Sequence, residues 1–324
     1  MKAITYASYG PAHVLSLNDV PKPEPKANEI RIQVKACEVT KGDCELRSFH
    51  FPVKWFVAPL RLALGVRKPR RQILGGYVAG IVDAIGSQVT GFEVGQNVYG
   101  STQLRLGGYG EYVCVPQTYS ISTMPASTTF AEAASVLLGG FNALHFMTLA
   151  KITPGQKVLI NGAGGSIGCY GLQMAKACGA QVTVVDAPHK EAMLRNLGAD
   201  HFINYQTESF VNNGQQYDVI LNMVAQGRFA DFKNALAPRG IYLLANPRVS
   251  DMWNTFKTNK FSDRRASFAF AGEKKDELVE LTAMLNRGVI RAVVDSEIPL
   301  QDAITAHLRV EAEQRLGAVV LVHE

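Results

Sequence analysis

The sequence has little cysteine, and the spacing of its cysteines does not indicate a disulfide-stabilised fold. Its five cysteines include no Cys-x-x-Cys pair, and an odd number of scattered thiols argues against a disulfide framework. No repeat or low-complexity segment is present, which excludes a collagen. Charged residues make up only 19% of the 324 residues, against 47% hydrophobic. This composition excludes a disordered tail protein and predicts a globular chain of about two domains.

The sequence also lacks a recognisable targeting or membrane segment. Its N-terminus reaches the turn at Gly10-Pro11 without an unbroken apolar core, so we do not expect a secretory signal. The most apolar stretch, Ala133 to Ala150, is interrupted by Gly139-Gly140 and by polar residues. It predicts two helix segments that meet at the glycine pair, and no transmembrane segment. Because free thiols suit a reducing compartment, we expect a cytoplasmic protein.

The apolar pattern changes twice along the chain. Residues 1–125 carry alternating or apolar runs between turn residues, which predicts a β-rich domain. From Lys157 to about Ala271, short apolar strands alternate with helical stretches, which predicts βαβ units and a parallel sheet. Thr129 and Glu132 form a capping box before an apolar helix between these parts, and 272–324 returns to a mixed pattern. The predicted strands are KAITYA, VLSLNDV, EIRIQVKACEV, YVAGIVDAIG and YGEYVCVP, then KVLING, QVTVVD, HFINY, YDVILNMV, GIYLLAN and RASFAFA, then IRAVVDSEI and GAVVLV.

The strongest motif in the chain runs from Lys157 to Asp186. A β-branched strand leads into a glycine-rich turn, a helix and a second strand that ends in Asp186, 18 residues after Gly168. This is a variant of the dinucleotide-binding fingerprint in which Ala163 replaces the first glycine. A tight structural βα turn is the alternative interpretation. The residues predicted to meet the pyrophosphate are Ala163, Gly164, Gly165, Ser166, Ile167 and Gly168.

The choice of cofactor stays open between NADH and NADPH. Asp186 would accept a hydrogen bond from the ribose 2′-OH and repel a 2′-phosphate, which favours NADH. His189 and Lys190 follow at once and could bind that phosphate instead, or simply begin a surface helix. Further cofactor contacts are expected where two later strands end, because ligands of open parallel sheets bind there. These residues are Asn222 to Ala225, Val224 among them, and Leu244, Ala245 and Asn246.

With these motifs the sequence resembles the medium-chain dehydrogenase/reductase superfamily, in its zinc-free, quinone-oxidoreductase-like branch. The similarity covers nearly the whole chain, including MKAITYASYGPAHVL, ACEVTKGDCELR, GGYGEYVCVP, LGADHFINY and LGAVVLV. It implies an α/β protein with a GroES-like catalytic domain (1–125 and 272–324) and a Rossmann, doubly wound parallel-sheet domain (126–271). It also implies that cofactor and substrate occupy the cleft between these domains.

The resemblance also implies where zinc ligands would stand. Zinc-dependent relatives have a cysteine at the position of Thr40, a His-Glu pair at Gly76-Tyr77, and four clustered cysteines in the interval between Tyr99 and Gly108. Threonine and glycine are not the soft or imidazole ligands that zinc needs, and that interval contains no cysteine. We interpret Cys37 and Cys44 as packing residues, since we expect no nearby histidine to complete a zinc site. The sequence therefore predicts no bound metal.

Three residues are candidates on the substrate side. The segment 40–43 stands where the family usually has an Asn-x-x-Asp sequence that lines the nicotinamide pocket. Thr40 could donate a hydrogen bond to a carbonyl oxygen, or only cap the following turn. Asp43 is expected to orient Arg47 or backbone amides rather than act as an acid. Tyr77 replaces a common acidic residue, and its phenol either donates in the site or packs half-buried.

One segment departs from the family pattern. Residues 48–74 are longer than the usual connection, and 54–71 contain six basic residues and no acidic one; without them the formal net charge would be −1 instead of +5. We call 48–74 the basic insertion. It is predicted to be a hydrophobic lid over the substrate opening; a solvated covering helix, a membrane-surface contact or a site for an acidic partner are the alternatives.

Together these features predict an NAD(P)(H)-dependent, zinc-independent oxidoreductase. It would transfer hydride to a quinone, an enone or a related small carbonyl compound. An alcohol dehydrogenase of the same superfamily is one alternative, although without zinc its alkoxide would be poorly stabilised. A non-catalytic nucleotide-binding protein whose basic insertion holds a partner is another. No nucleic-acid partner is expected, and a homodimer is predicted through the edge strand RASFAFA, Arg265 to Ala271.

Overall fold

The computed structural model describes residues 1–224, 227, 229–268 and 272–323. The chain divides into two compact units. The first comprises Met1–Phe51, Ala58–Leu138 and Glu273–Glu324, and the second comprises Pro52–Val57 and Gly139–Gly272. This division differs from the predicted boundaries in two places. The long helix after residue 129 begins in the first unit and ends in the second, and Pro52–Val57 of the basic insertion groups with the second.

The strands and helices have the following bounds, numbered in chain order. The strands are β1 (Lys2–Tyr6), β2 (Leu15–Asp19), β3 (Glu29–Val39), β4 (Tyr77–Ile85), β5 (Asn97–Ser101), β6 (Tyr112–Pro116), β7 (Ile121–Thr123), β8 (Lys157–Asn161), β9 (Gln181–Asp186), β10 (His201–Asn204), β11 (Tyr217–Asn222), β12 (Leu236–Leu244), β13 (Arg265–Phe268), β14 (Val294–Pro299) and β15 (Ala318–Val322). The α-helices are α1 (Lys41–Ser48), α2 (Val57–Leu64), α3 (Phe130–Ala150), α4 (Ser166–Ala177), α5 (Glu191–Asn196), α6 (Phe229–Ala235), α7 (Val249–Phe261), α8 (Lys275–Asn286) and α9 (Ala303–Glu311). Short 3-10 helices cover Ala12–Val14, Gln103–Arg105, Pro188–Lys190 and Leu300–Asp302.

The first unit is built on a mixed sheet of strand order β14-β15-β3-β4-β5-β7, with β6 also paired to β3, and on an antiparallel pair of β1 and β2. The burial pattern of β3 shows how this sheet packs. Ile30, Ile32 and Val34 are buried, while the residues between them are half-exposed. This period of two places one face of the strand in a core. Helix α9 covers that core with Ala303, Ala306 and Val310 and neighbouring apolar residues.

In the described part of the second unit, six strands form a parallel sheet of order β10-β9-β8-β11-β12-β13. In the order of the chain this is 3-2-1-4-5-6, the doubly wound arrangement. Its inner strands are apolar on both faces, as Val158, Leu159 and Ile160 of β8 show. The strand order reverses between β8 and β11, and the crevice at their carboxyl ends is where ligands of such sheets bind. The predicted β-rich domain and the predicted doubly wound parallel-sheet domain are both present.

Most predicted strands are present, with small differences in their bounds. Strands β5 and β7 were not predicted as separate elements, since only a few residues carry each. Strand β12 begins several residues before the predicted GIYLLAN. Strand β13 forms the edge of the parallel sheet over Arg265–Phe268; the rest of the predicted strand, 269–271, lies outside the described residues. The homodimer through this strand stays a prediction.

Helix α3 corrects the prediction of two segments that meet at a glycine pair. The helix is continuous from Phe130 to Ala150, and 67% of its most apolar 18-residue window is buried in the protein. A Cβ at Gly139 would lie 2.4 Å from the carbonyl oxygen of Ser166 and from the ring of Tyr170. Glycine here permits helix α4 to pack closely and does not break α3. The predicted capping box is confirmed at Thr129 and Glu132, each of which accepts the other's backbone N–H.

Candidate functional site

The glycine-rich loop lies between β8 and α4, at the carboxyl end of the parallel sheet. Gly162 has a positive φ of 82° and donates its N–H to the carbonyl of Val185, at 3.0 Å, on the neighbouring strand β9. Gly165 is the N-cap residue, and α4 begins at Ser166. The N-terminus of a twelve-residue helix therefore faces the crevice. Its first-turn N–H groups and its dipole make this end suitable for an anion.

Three glycines of the loop have different reasons to be glycine. A Cβ at Gly168 would lie 2.5 to 2.6 Å from backbone atoms of the loop, and a Cβ at Gly164 would lie 2.4 Å from the Lys190 side chain. At Gly165 the nearest chain atom would be the carbonyl oxygen of Gly162, at an ordinary 3.7 Å. Packing within the chain thus explains Gly164 and Gly168 but not Gly165. The open space at Gly165 fits the close approach of a pyrophosphate to the helix N-terminus.

Asp186 ends β9 with its carboxylate turned to this loop. Its Oδ2 accepts the N–H of Gly164 at 2.7 Å, and its Oδ1 accepts the N–H of Ala187 at 2.8 Å. The ammonium of Lys190 lies 3.3 Å from Oδ1. These contacts fix the side chain beside the loop. A carboxylate has about four acceptor positions, so among the described contacts Asp186 keeps capacity for a ligand hydroxyl.

The two basic candidates differ in their environment. His189 is exposed, whereas Lys190 is buried against Asp186. The interpretation that both residues only begin a surface helix is therefore wrong for Lys190. Its ammonium pairs with the Asp186 carboxylate, so a ligand hydroxyl bound by Asp186 would also lie beside Lys190.

The ends of β11 and β12 hold a polar link between neighbouring strands. Asn222 accepts a hydrogen bond from the amide of Asn161, at 3.0 Å, and donates one to the hydroxyl of Tyr242, also at 3.0 Å. Of the other predicted contacts, Val224 and Asn246 are exposed. Ala245, which is half-buried, donates its N–H to the carbonyl of Asn222, and Leu244 packs into the core of this unit. Ala225 lies outside the described residues.

On the first unit, Thr40 is the N-cap of helix α1. Its hydroxyl donates to Oδ2 of Asp43 at 2.6 Å and accepts the N–H of Asp43 at 3.0 Å. Asp43 also accepts the backbone N–H groups of Thr40, at 2.9 Å, and of Gly75, at 3.1 Å. The carboxylate of Asp43 thus orients backbone amides, and Arg47 pairs with Glu311 instead. Burial raises the pKa of Asp43 although these hydrogen bonds oppose the shift.

Behind Asp43 lies a buried polar chain that sequence reasoning missed. Tyr109 hydrogen-bonds to Asp43 and lies 3.1 Å from Nε2 of His307, whose Nδ1 lies 3.3 Å from the Cys44 sulfur. Burial lowers the pKa of His307 to about 3 and raises that of Cys44 to about 12, so both are neutral. The contact with His307 overturns the expectation that no histidine lies near Cys44. The sequence could not show this contact, because 263 residues separate the two.

Tyr77 is bound by a residue that the sequence did not single out. Its hydroxyl donates to the carboxylate of Glu273, and the Ser101 hydroxyl donates to the other carboxylate oxygen. Ser120 donates to the backbone carbonyl of the same residue. Burial and the Glu273 carboxylate raise the pKa of Tyr77 well above its usual value, so the phenol stays protonated.

Comparison with known proteins finds relatives that match nearly the whole chain. A family model described as alcohol dehydrogenase GroES-like domain matches residues 26–126, and one described as zinc-binding dehydrogenase matches 197–321. A quinone oxidoreductase of Pseudomonas aeruginosa is 27% identical over 99% of both chains, and one of Sus scrofa is 29% identical over 95% of this chain and 93% of its own. The solved structure of the quinone oxidoreductase from Coxiella burnetii superposes with a TM-score of 0.87 at 27% identity, over 100% of this chain and 99% of its own.

The chain belongs to the medium-chain dehydrogenase/reductase superfamily. Within the superfamily it falls in the quinone-oxidoreductase-like branch, and this membership implies a nicotinamide cofactor. The open space at Gly165 and the fixed carboxylate of Asp186 fit such a dinucleotide.

One of the matching family models is described as a zinc-binding dehydrogenase, but the side chains of this dehydrogenase/reductase do not suit zinc. The positions of zinc ligands in zinc-dependent relatives hold Thr40, whose hydroxyl is engaged by Asp43, and Gly76, which has no side chain. Cys44 and His307 are in contact, but within the described ranges no group of three or more His, Cys, Asp or Glu side chains could hold a metal. No step of the reaction is therefore assigned to zinc.

The position of Asp186 generates a first prediction. Replacing Asp186 with Ala should weaken NADH binding roughly tenfold, the loss of a hydrogen bond to a charged acceptor. NADPH binding should weaken less, because NADPH offers a phosphate in place of the 2′-hydroxyl. Titration of both cofactors by fluorescence measures the two dissociation constants.

Asp200 supplies the matched control. It also accepts a backbone N–H of β9, that of Val182 at 2.7 Å, and pairs with a lysine, Lys176. Asp200→Ala should therefore remove a similar structural anchor and leave both dissociation constants unchanged. Equal losses of NADH and NADPH affinity in Asp186→Ala would refute the assignment of Asp186 to the ribose.

Proposed function

We propose that the protein is an NAD(P)H-dependent reductase that transfers hydride to a quinone, an α,β-unsaturated carbonyl or a related small carbonyl compound, without zinc. The observation that carries the proposal is the space at Gly165, open at the N-terminus of α4 where the strand order of the parallel sheet reverses. The names of the relatives, which include quinone oxidoreductases and a 2-methylene-furan-3-one reductase of Solanum lycopersicum, support the acceptor class.

The second unit binds and orients the cofactor in this proposal. First-turn N–H groups of α4 hold the pyrophosphate, and Asp186 accepts from an adenosine ribose hydroxyl. We infer a preference for NADH, because the buried carboxylate of Asp186 would repel a 2′-phosphate and its partner Lys190 is already engaged. When bound, the nicotinamide supplies the hydride.

The acceptor class is inferred from the candidate donors, Thr40 and Tyr77, which offer only hydroxyl hydrogen bonds to a substrate oxygen. An enone or quinone is already electrophilic, so one hydroxyl donor is sufficient to stabilise the oxygen on which negative charge develops. Thr40 is the proposed donor. Its O–H points to Asp43 in this structure, and it would have to turn from that carboxylate to a substrate oxygen. Tyr77 is a protonated phenol and is the second candidate donor. Asp43 is a positioning residue that holds Thr40 at the start of α1.

Turnover over a panel of acceptors tests the function. We expect the purified protein to oxidise NADH with quinones and enones, to keep this activity in a metal chelator, and to oxidise ethanol poorly. Alcohol oxidation needs a Lewis acid to stabilise the alkoxide or a base to remove the hydroxyl proton. Thr40 and Gly76 offer neither. Cofactor absorbance gives the rates, and elemental analysis gives the zinc content.

Two outcomes of that panel would overturn the proposal. Stoichiometric zinc together with chelator-sensitive alcohol oxidation would make the protein an alcohol dehydrogenase. Tight NADH binding with no turnover of any acceptor would make it a nucleotide-binding protein without this activity.

The role of Thr40 can be separated from its role as a helix cap. Thr40→Val should lower kcat roughly tenfold, the effect of losing one modest hydrogen bond in the transition state. It should also lower the free energy of unfolding by about 1 kcal/mol, because the cap is lost. Thr40→Ser keeps the hydroxyl and should preserve both quantities. Steady-state kinetics and urea unfolding measure them. A stability loss in Thr40→Val with unchanged kcat would assign Thr40 to capping alone.

A further inference from the structure

Helix α7 of the second unit buries three polar side chains and exposes large aromatic ones. Asp251, Thr255 and Thr258 are buried, whereas 58% of Trp253 and 52% of Phe256 are exposed. A surface helix of a globular protein normally buries its apolar stripe and exposes its polar one. This arrangement therefore leaves an aromatic face on the outside of this unit.

The exposed rings of α7 form an ordered row. Val249, Trp253 and Phe256 follow one another at helical spacings of four and three residues, so they lie on one face. The rings of Trp253 and Phe256 are stacked, with their centroids 5.7 Å apart. Phe261, at the end of the helix, is also exposed. Adjacent exposed apolar side chains of this size mark an interaction surface more often than scattered ones do.

Lysines accompany these rings, and no acidic side chain of α7 shares their face. The ammonium of Lys257 lies 5.4 Å from the centroid of the Trp253 ring, and that of Lys260 lies 5.8 Å from the centroid of Phe256. Asp251, the acidic residue of α7, is buried and paired with Arg248 at 3.0 Å. The face is therefore both aromatic and positively charged.

The basic insertion places a second tryptophan next to the segment that leads into α7. The indole N–H of Trp55 donates to the carbonyl of Pro247, at 3.3 Å, two residues before α7 begins. Trp55 is 45% exposed and Lys54 beside it is exposed as well. We call these residues together the aromatic–lysine face: Lys54, Trp55, Val249, Trp253, Phe256, Lys257, Lys260 and Phe261.

We propose that the aromatic–lysine face binds the surface of a lipid bilayer that contains anionic lipids. Tryptophan rings favour the level of the lipid headgroups, and lysines place their stems along apolar surface while their ammonium groups reach phosphate. Anionic lipid attracts a cationic helix face of this kind. A second copy of the chain is a poorer occupant, since a two-fold contact would bring the same lysines against one another. The proposal does not depend on the oxidoreductase activity.

Intrinsic fluorescence provides a direct readout, because Trp55 and Trp253 are the two tryptophans of the chain and both belong to this face. With the full chain, we expect vesicles of phosphatidylcholine and phosphatidylglycerol to shift tryptophan emission to shorter wavelength and to carry the protein into the pellet. Brominated lipid should quench the emission. High salt should weaken the binding, since salt screens the lysines, and vesicles of phosphatidylcholine alone should bind far less.

Paired variants test which side chains carry the binding. Trp253→Ser with Phe256→Ser, and separately Lys257→Gln with Lys260→Gln, should each reduce co-sedimentation with the anionic vesicles roughly tenfold or more. These positions are on the surface, so circular dichroism should show an unchanged fold. Leu104→Ser is the matched apolar control, because Leu104 is 72% exposed on the first unit; it should leave binding unchanged.

A second control separates α7 from the rest of the basic insertion. Arg67→Gln with Lys68→Gln removes two exposed charges outside the aromatic–lysine face and should also leave binding unchanged. Absence of vesicle binding, or equal binding by the α7 variants, would overturn the proposal. So would a fall in molar mass by light scattering in the aromatic variant, since the face would then join two copies. Tighter binding of a duplex oligonucleotide than of the anionic vesicles would overturn it as well.

Discussion

The close packing of helix α4 against the loop that precedes it is the constraint on which the candidate cofactor site depends. Gly168 permits this contact, since any Cβ there would overlap the backbone of the loop. With α4 so close, its N-terminus lies at the carboxyl ends of β8 and β11, where the strand order reverses. Gly164 allows Asp186, at the end of β9, and Lys190, in the 3-10 helix that follows, to approach the loop. The position of each predicted cofactor contact around this loop follows from these two close approaches.

The sequence predicted this part of the molecule well, because its signals are local. Strand β9 has the predicted bounds, since a β-branched run ends at Asp186 and a 3-10 turn follows. The capping box at Thr129 and Glu132 also depends only on residues three apart. The two-domain α/β fold follows from the change from period-two strands to strands that alternate with helices. The resemblance to the superfamily supplied the domain names.

The contacts that could not be predicted from the sequence join residues that are far apart in the chain. Glu273 binds Tyr77, 196 residues away, and His307 meets Cys44, 263 residues away. No periodicity or spacing connects such residues. The prediction that the glycine pair breaks α3 was wrong for the same reason. Gly139 is needed for the contact with Ser166 and Tyr170 of another helix. The outward aromatic face of α7 was not predicted either, because periodicity shows which residues share a face but not which face is buried.

NADH binding by a Gly165→Val variant shows whether the space at the N-terminus of α4 holds a dinucleotide. Gly165 has an extended backbone with a negative φ that valine also adopts, and the nearest chain atom to a Cβ is 3.7 Å away. We expect the free energy of unfolding to fall by no more than about 1 kcal/mol, because valine is a poorer N-cap than glycine, and NADH affinity to fall at least roughly tenfold. Unchanged NADH affinity in a stably folded Gly165→Val protein would contradict binding of the dinucleotide in this space.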